Sequence, residues 1–257
     1  MRLRQVALIA EKIAPVVGQL QQVFGLKEGH HDPGVDVFGL TNAVFPVGGE
    51  FLEVLEPFRE DASGARYLQR RGGDAGYMII LQDAESYEHR ARLEAAGLRV
   101  VARNQDGRRY HFTHFHPADT AGVLLSIESV EGDANWRAPK SDWPAAGEHW
   151  RDQESETSLG IPWVAMQAKD PVAAAERWSM LLDRPALRSG SRLEIALDPG
   201  AIRFVEPVDA DGTGVVGMGV RVADPEAVLA KAEAIGLPVD AGAVRICGVA
   251  MEPLASR

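Results

Sequence analysis

The chain holds a single cysteine, Cys247, in 257 residues. No internal disulfide can form, and a reducing compartment is the natural setting. Nothing in the sequence approaches the run of about 18 apolar residues that a membrane-crossing helix needs. The opening Met1-Arg2-Leu3-Arg4 carries neither a long apolar stretch nor the small-residue cleavage site of a secretory signal. A cytoplasmic location is therefore expected, with no membrane partner. Positive charge is in deficit, 27 Lys and Arg against 37 Asp and Glu for a net charge of −10. That balance speaks against nucleic acid, whose binding needs clustered cations to displace counterions. Walker-type glycine loops and Gly-x-Ser-x-Gly elbows are both missing, which leaves nucleotide-dependent and serine-hydrolase chemistry unsupported. Histidine is absent after His149, so imidazole acid–base chemistry belongs to the N-terminal half. Cys247 has no histidine near it in sequence and reads as a small buried hydrophobe.

What is present is repetition. Gln5-Val6-Ala7-Leu8-Ile9-Ala10-Glu11 and Trp163-Val164-Ala165-Met166-Gln167-Ala168-Lys169 are short β-like runs, each followed by a helical pattern. Val16, Leu20 and Phe24 share one face of the first helix, and Ala174, Trp178 and Leu182 one face of the second. Asp170-Pro171 supplies an N-cap and a proline at the first helical position. Phe51 to Pro57 parallels Ala201 to Pro207, both strands stopped by proline. A second kind of unit starts at Tyr77 and again at Met218. Each leads through a helix to Gly97 or Gly236, where a helix C-terminus favours a left-handed residue. Four modules result, at 1–58, 75–131, 159–208 and 214–255. Residues 132–158 are polar and acidic, with Pro139, Pro144 and the tryptophans Trp136, Trp143 and Trp150. They read as a linker between the halves that lies against one or both of them, since such rings seldom float free. A binding loop built on the rings is the alternative.

Paired modules that open on a strand like the one at Gln5 and close on Glu-x-x-Glu-Pro, here Glu53 to Pro57, resemble the vicinal oxygen chelate superfamily. That group includes glyoxalase I, methylmalonyl-CoA epimerase, extradiol dioxygenases and bleomycin-resistance proteins. The stretch Phe115 to Leu125 is similar to the last hairpin of the epimerase-type members. The resemblance implies an α+β fold of four βαβββ modules forming two tandem glyoxalase-like half-barrels, each a cup-shaped sheet. One domain would span 1–131, followed by the linker 132–158 and a second, shorter domain at 159–257. A homodimer is compatible with such modules, which pair within a half, between halves or between chains.

In the superfamily the cup holds a divalent metal and a small substrate, the metal ligands coming from the first and last strands of paired modules. Carried over by position, these are Gln5, Glu53, Tyr77 and Ser126. An amide oxygen and a carboxylate suit a hard divalent ion. Tyr77, however, stands where histidine is usual, and Ser126 where glutamate is usual. Glu128, two residues on, shares the strand face of Ser126. Two good ligands make a weak site, so no metal ligand and no cofactor is assigned; a divalent ion completed by Glu128 or a histidine stays open. The second half offers Trp163, Arg203 and Met218, with the last position near Gly248, and no hard-metal site.

Glu53 is the sharpest single residue. It shares a face with Phe51 and Leu55, where a carboxylate must be satisfied by a cation, a hydrogen bond or a proton. It is the candidate general base. Tyr77 and Ser126 are hydrogen-bonding candidates for a ligand. His114 and His116 lie two apart on one strand face, although His116-Pro117 also resembles a turn. His30-His31 reads as an exposed loop pair, and Arg70-Arg71-Gly72-Gly73-Asp74 as a loop joining the first two modules. The expectation is a glyoxalase-like protein that binds a small molecule in the N-terminal cup without a complete family-type metal site. The alternative is a divalent-metal-dependent lyase, isomerase or dioxygenase.

Overall fold

A computed structural model describes residues 1–104 and 109–256. The N-terminal half contains β1 (Arg2–Ile9), α1 (Ile13–Phe24), β2 (Leu40–Val47), β3 (Glu50–Pro57), α2 (Ser63–Arg71), β4 (Ala75–Gln82), α3 (Ser86–Ala95), β5 (Val100–Arg103), β6 (Tyr110–Phe115) and β7 (Leu124–Val130). After the linker come β8 (Ser158–Gln167), α4 (Pro171–Leu182), β9 (Ala186–Ser189), β10 (Arg192–Ala196), β11 (Ala201–Val205), β12 (Gly214–Val222), α5 (Pro225–Ala234), β13 (Val239–Asp240), β14 (Ala243–Ile246) and β15 (Val249–Ala255).

The strands form two sheets, ordered β2-β3-β1-β4-β7-β6-β5 and β13-β14-β15-β12-β8-β11-β10-β9. In both, the opening strands of two modules lie side by side and antiparallel, β1 on β4 and β8 on β12. Each opening strand also pairs in parallel with the closing strand of its own module, as β1 does with β3 and β4 with β7. Both cups therefore close within their own halves.

Helix faces and caps follow the sequence pattern. Val16, Leu20 and Phe24 are buried on α1, and Ala174, Trp178 and Leu182 on α4. Asp170 accepts the Ala173 N–H at 2.9 Å and Asp224 accepts that of Ala227 at 3.0 Å, each ahead of a proline at the first helical position. Gly97 and Gly236 adopt φ of 85° and 76°, the left-handed geometry that ends a helix.

Two expectations are corrected. The first module lacks one return strand, which shrinks to a single bridge between His30 and Val44. Residues Pro33–Phe38 form a 3-10 turn instead, capped by Asp32, whose Oδ1 accepts the Gly34 N–H at 2.9 Å. Pro33 has no N–H to give a ladder, and the Asx cap competes for the backbone that follows. Arg70 and Arg71, read as part of a loop, instead complete α2. Gly72 then ends the helix at φ 75°.

One continuous core joins the convex faces of both sheets. Leu3, Val6, Leu8, Ile79 and Leu81 from the first sheet cluster with Val164, Met166, Met218 and Val220 from the second and with the apolar faces of α1, α4 and α5. Met218 thus faces this core, on the side of its strand away from the second cup. Polar contacts reinforce the junction. Arg71 reaches Asp209 and Asp211 at 2.7 Å each, and Trp178 donates its indole N–H to the Thr120 carbonyl at 2.9 Å.

Candidate functional site

A second apolar cluster lines the concave face of the first sheet, and linker residues belong to it. Ala7, Ile9, Val44, Phe51, Leu55, Met78 and Ile80 pack with Trp143, Ala145, Ala146 and Trp150. The linker is thus laid into the first cup. Trp143 is 0% exposed and Trp150 2%. Trp143 stacks on Phe51 with centroids 6.1 Å apart, and Trp150 meets the same ring edge-on at 5.0 Å. Across the cup Trp143 also meets Tyr110 edge-on at 5.6 Å, so one indole bridges the β3 and β6 sides.

Two arginines of β1 hold the linker down. Arg2 donates to the carbonyls of Trp136, Arg137 and Ala138 at 3.3, 3.3 and 3.0 Å and pairs with Glu50 at 2.9 Å. Arg4 donates to Gly49 O at 2.6 Å and Ser141 O at 2.8 Å, with its guanidinium 4.9 Å from the Phe51 centroid and 5.1 Å from that of Trp143. Burial, then the neighbouring Arg2 charge, pushes Arg4 down to about 9. Neither residue stood out in the sequence, where an arginine pair at a chain start resembles surface charge. Their alternation into a strand of apolar residues was the one available signal.

The polar residues of the cup form two nodes on either side of Trp143. At the first, the Trp143 N–H donates to Gln5 Oε1 at 2.7 Å. The Gln5 amide is thereby oriented, and its Nε2 donates to Glu53 Oε2 at 2.8 Å. Asn42 Nδ2 donates to Glu53 Oε1 at 2.6 Å, while its own Oδ1 accepts the Asp32 N–H at 2.9 Å. Burial pushes the Glu53 carboxyl up to about 7, against the pull of the Asn42 and Gln5 donors. Asn42 was not singled out in the sequence, although it occupies the cup-facing alternation of β2 next to Val44.

At the second node, Ser126 Oγ lies 2.7 Å from Glu128 Oε1, and the Tyr110 hydroxyl donates to Glu128 Oε2. Burial pushes Glu128 up to about 7, and the Glu53 charge adds to the rise. His114 Nδ1 lies 2.9 Å from Ser126 Oγ. Burial holds its imidazole down at about 4, so the ring is neutral near pH 7. A serine hydroxyl has one proton to give. If it serves ionised Glu128, His114 carries its own proton on Nδ1 and keeps Nε2 as an acceptor.

Gln5, Glu53, Ser126, His114 and Glu128 therefore line one interior. Tyr77 packs edge-on against Tyr67 with centroids 5.0 Å apart, and burial pushes its hydroxyl up to about 12. His116 stands apart on the turn after β6, where its Nδ1 accepts the Ala118 N–H at 3.1 Å. The four positions carried over for a metal do not fit the ion. The one amide oxygen among them, Gln5 Oε1, is occupied by Trp143, and Gln5 presents N–H rather than oxygen to Glu53. Tyr77 and Ser126 are neutral hydroxyls, and no group of three or more His, Cys, Asp or Glu suited to an ion occurs among the described residues. In the second cup, the equivalent place is taken by Arg203 stacked 4.0 Å over Trp163.

No protein-family model matches the sequence, and no curated protein matches it. Solved structures do. A variant of 4-hydroxymandelate synthase from Streptomyces coelicolor superposes with a TM-score of 0.67 at 17% identity, covering 92% of this chain and 75% of its own. A variant of methylmalonyl-CoA epimerase from Streptomyces coelicolor, in complex with 2-nitronate-propionyl-CoA, gives 0.46 at 21% identity, covering 51% of this chain and 98% of its own. Methylmalonyl-CoA epimerase from Mycobacterium tuberculosis gives 0.44 at 20% identity, covering 50% and 87%. The likeness to the synthase runs through both halves: the chain has the vicinal oxygen chelate fold in a tandem, two-sheet arrangement. No helix is long and apolar enough to cross a membrane among the described residues.

Proposed function

We propose that the protein binds a small organic molecule in the first cup by hydrogen bonding and packing, without a divalent ion of the family type. The observation that carries this reading is the Trp143–Gln5–Glu53 chain, in which an indole and an amide fill the ligand positions that a metal would need. What remains on the cup face is a polar interior, Glu53, Asn42, Ser126 and Glu128, beneath a partly exposed rim of Phe38, Phe112 and His114. Apolar walls with a few convergent polar groups are the general form of a small-molecule site.

Glu53 and Glu128, both held near 7, also favour a second reading, a metal-independent acid–base enzyme in which either carboxyl moves a proton on the bound molecule. Elemental analysis of protein purified without chelator, followed by titration with Mn, Ni, Zn and Fe, tests the proposal. Substoichiometric metal and unchanged stability on titration are expected. Stoichiometric metal that disappears in Glu53→Ala would overturn it.

A further inference from the structure

We infer that the first cup takes an organic ammonium ion, its charge placed at Glu128 within the field of Glu53 and Asp32 and its carbon skeleton against the rings at the rim. The inference rests on the ligand-site reading above and adds the chemical class. It starts from unbalanced charge. Among the described residues, every hydrogen-bond partner of the two carboxylates is uncharged: the Gln5 and Asn42 amides for Glu53, the Tyr110 and Ser126 hydroxyls for Glu128. The nearby arginines are committed elsewhere, Arg4 to backbone carbonyls and Arg2 to carbonyls and Glu50. Glu53 and Glu128 are 4% and 2% exposed, and a buried carboxylate remains costly as an anion where no positive charge compensates it. Asp32 adds a third negative group whose field reaches both. An anionic ligand would meet repulsion here, and a cation would relieve it.

A second observation is independent of the carboxylates. Gln82 is 0% exposed, and neither its amide oxygen nor its nitrogen has a partner among the described residues. It lies two residues beyond Ile80, on the cup face, and opposite Glu128 in the parallel ladder between β4 and β7. The Trp150 indole N–H, also inside the cup, is likewise unpartnered. Native interiors seldom leave a complete amide unsatisfied. A ligand with several N–H donors supplies what the Gln82 oxygen lacks, and any hydroxyl or carbonyl it carries would serve the two free donors.

The rim supplies the rest. Phe112 and His114 stack with centroids 4.7 Å apart, and Phe38 lies 6.0 Å from His114 and 6.5 Å from Phe112. All three are partly exposed. Aromatic faces beside carboxylates attract organic cations through the ring quadrupole as well as through charge, and a neutral His114 ring adds no opposing charge.

Three probes of one shape and different charge test this: benzylammonium, benzyl alcohol and benzoate. Each is titrated into the full chain while the indole N–H resonances of Trp143 and Trp150 are followed by NMR, with Trp143→Phe and Trp150→Phe giving the assignments. Saturable shifts with benzylammonium are expected, with benzyl alcohol about tenfold weaker or worse and benzoate inert. Glu128→Gln should weaken the ammonium about tenfold and the alcohol by much less, narrowing the gap between the two probes. The wild-type series stands even if that variant misfolds. Equal or tighter binding of the alcohol or of benzoate overturns the ammonium class while leaving the cup a ligand site. Silence from all three probes overturns both.

Discussion

The indole of Trp143 donates to the side-chain oxygen of Gln5 across 2.7 Å, joining the linker to the first strand over 138 positions of sequence. That bond turns the Gln5 amide so that its nitrogen meets Glu53, and a linker residue thereby sets the polarity of the cup floor.

Removing the donor while keeping an aromatic ring isolates this bond. Trp143→Phe should destabilise the protein by about 1–3 kcal/mol, the cost of leaving a buried amide oxygen unpaired. Trp143→Ala, which also empties the space beside Phe51, should lose about 3–5 kcal/mol. Urea denaturation measures both, and a Phe variant as stable as wild type would show that the bond contributes nothing.

Glu53 and Glu128 should make stability fall as pH rises. Their carboxyls move from 4.5 to about 7 on folding, so the folded chain holds protons that the unfolded chain releases. The stabilisation is complete below 4.5 and is lost as pH climbs through 7. His114, held at about 4 against an ordinary 6.5, works in the opposite sense between those two values. With two such carboxyls against one imidazole, the net decline should run from about pH 5 to about 7.5 and be steepest near 6.5. Chemical denaturation across that range should show it, and Glu128→Gln should flatten the slope.

Arg4→Met should loosen the linker before it unfolds the sheet. The variant keeps an apolar stem beside Phe51 and Trp143 but leaves Ser141 O without its arginine donor and Gly49 O with Arg2 alone. Trypsin should then cut at Arg137 and Lys140 faster than in wild type, at a protein stability lower by about 1–3 kcal/mol. Cleavage rates matching wild type would show that Arg2 alone secures the strap.

Arg71 ties the halves together, and its loss should be felt by both. Its side chain is 9% exposed and reaches Asp209, Asp211 and the Thr213 carbonyl at 2.7 Å each. Arg71→Ala should cost about 1–3 kcal/mol. A double-mutant cycle with Asp211→Asn should return a coupling energy above about 0.5 kcal/mol, and additivity would mean that the pair does no joint work.

The architecture was legible where the signal is local. Helix faces at Val16, Leu20 and Phe24, the Asp-Pro starts at Asp170 and Asp224 and the left-handed stops at Gly97 and Gly236 each depend on residues within a turn or two. The missing return strand was not legible, because the register pattern before Pro33 is too short to count. Arg70-Arg71 misled because the glycines that end a helix also occur in loops. At the site, the superfamily resemblance brought Gln5, Glu53 and Ser126 together, and alternation added Glu128 to the face of Ser126. It could not reveal that Arg2 and Arg4 serve carbonyls more than 130 positions away, that Trp143 occupies the cup, or that Gln82 has no partner among the described residues. Those are facts of closure in space.

The strap has a consequence for the order in which the chain becomes protein. The first sheet ends at Val130, yet Phe51 acquires its covering rings, and Arg2 and Arg4 the acceptors that complete those of Gly49 and Glu50, only from residues 136 to 150. On a ribosome, the first strand is made early and waits for the linker to be released before its arginines are fully satisfied. A fragment cut at the end of the sheet would keep every strand of that half and still present an unfinished, sticky bowl, besides the convex face that the second half covers, so the smallest unit able to mature by itself runs through the linker and into the second half.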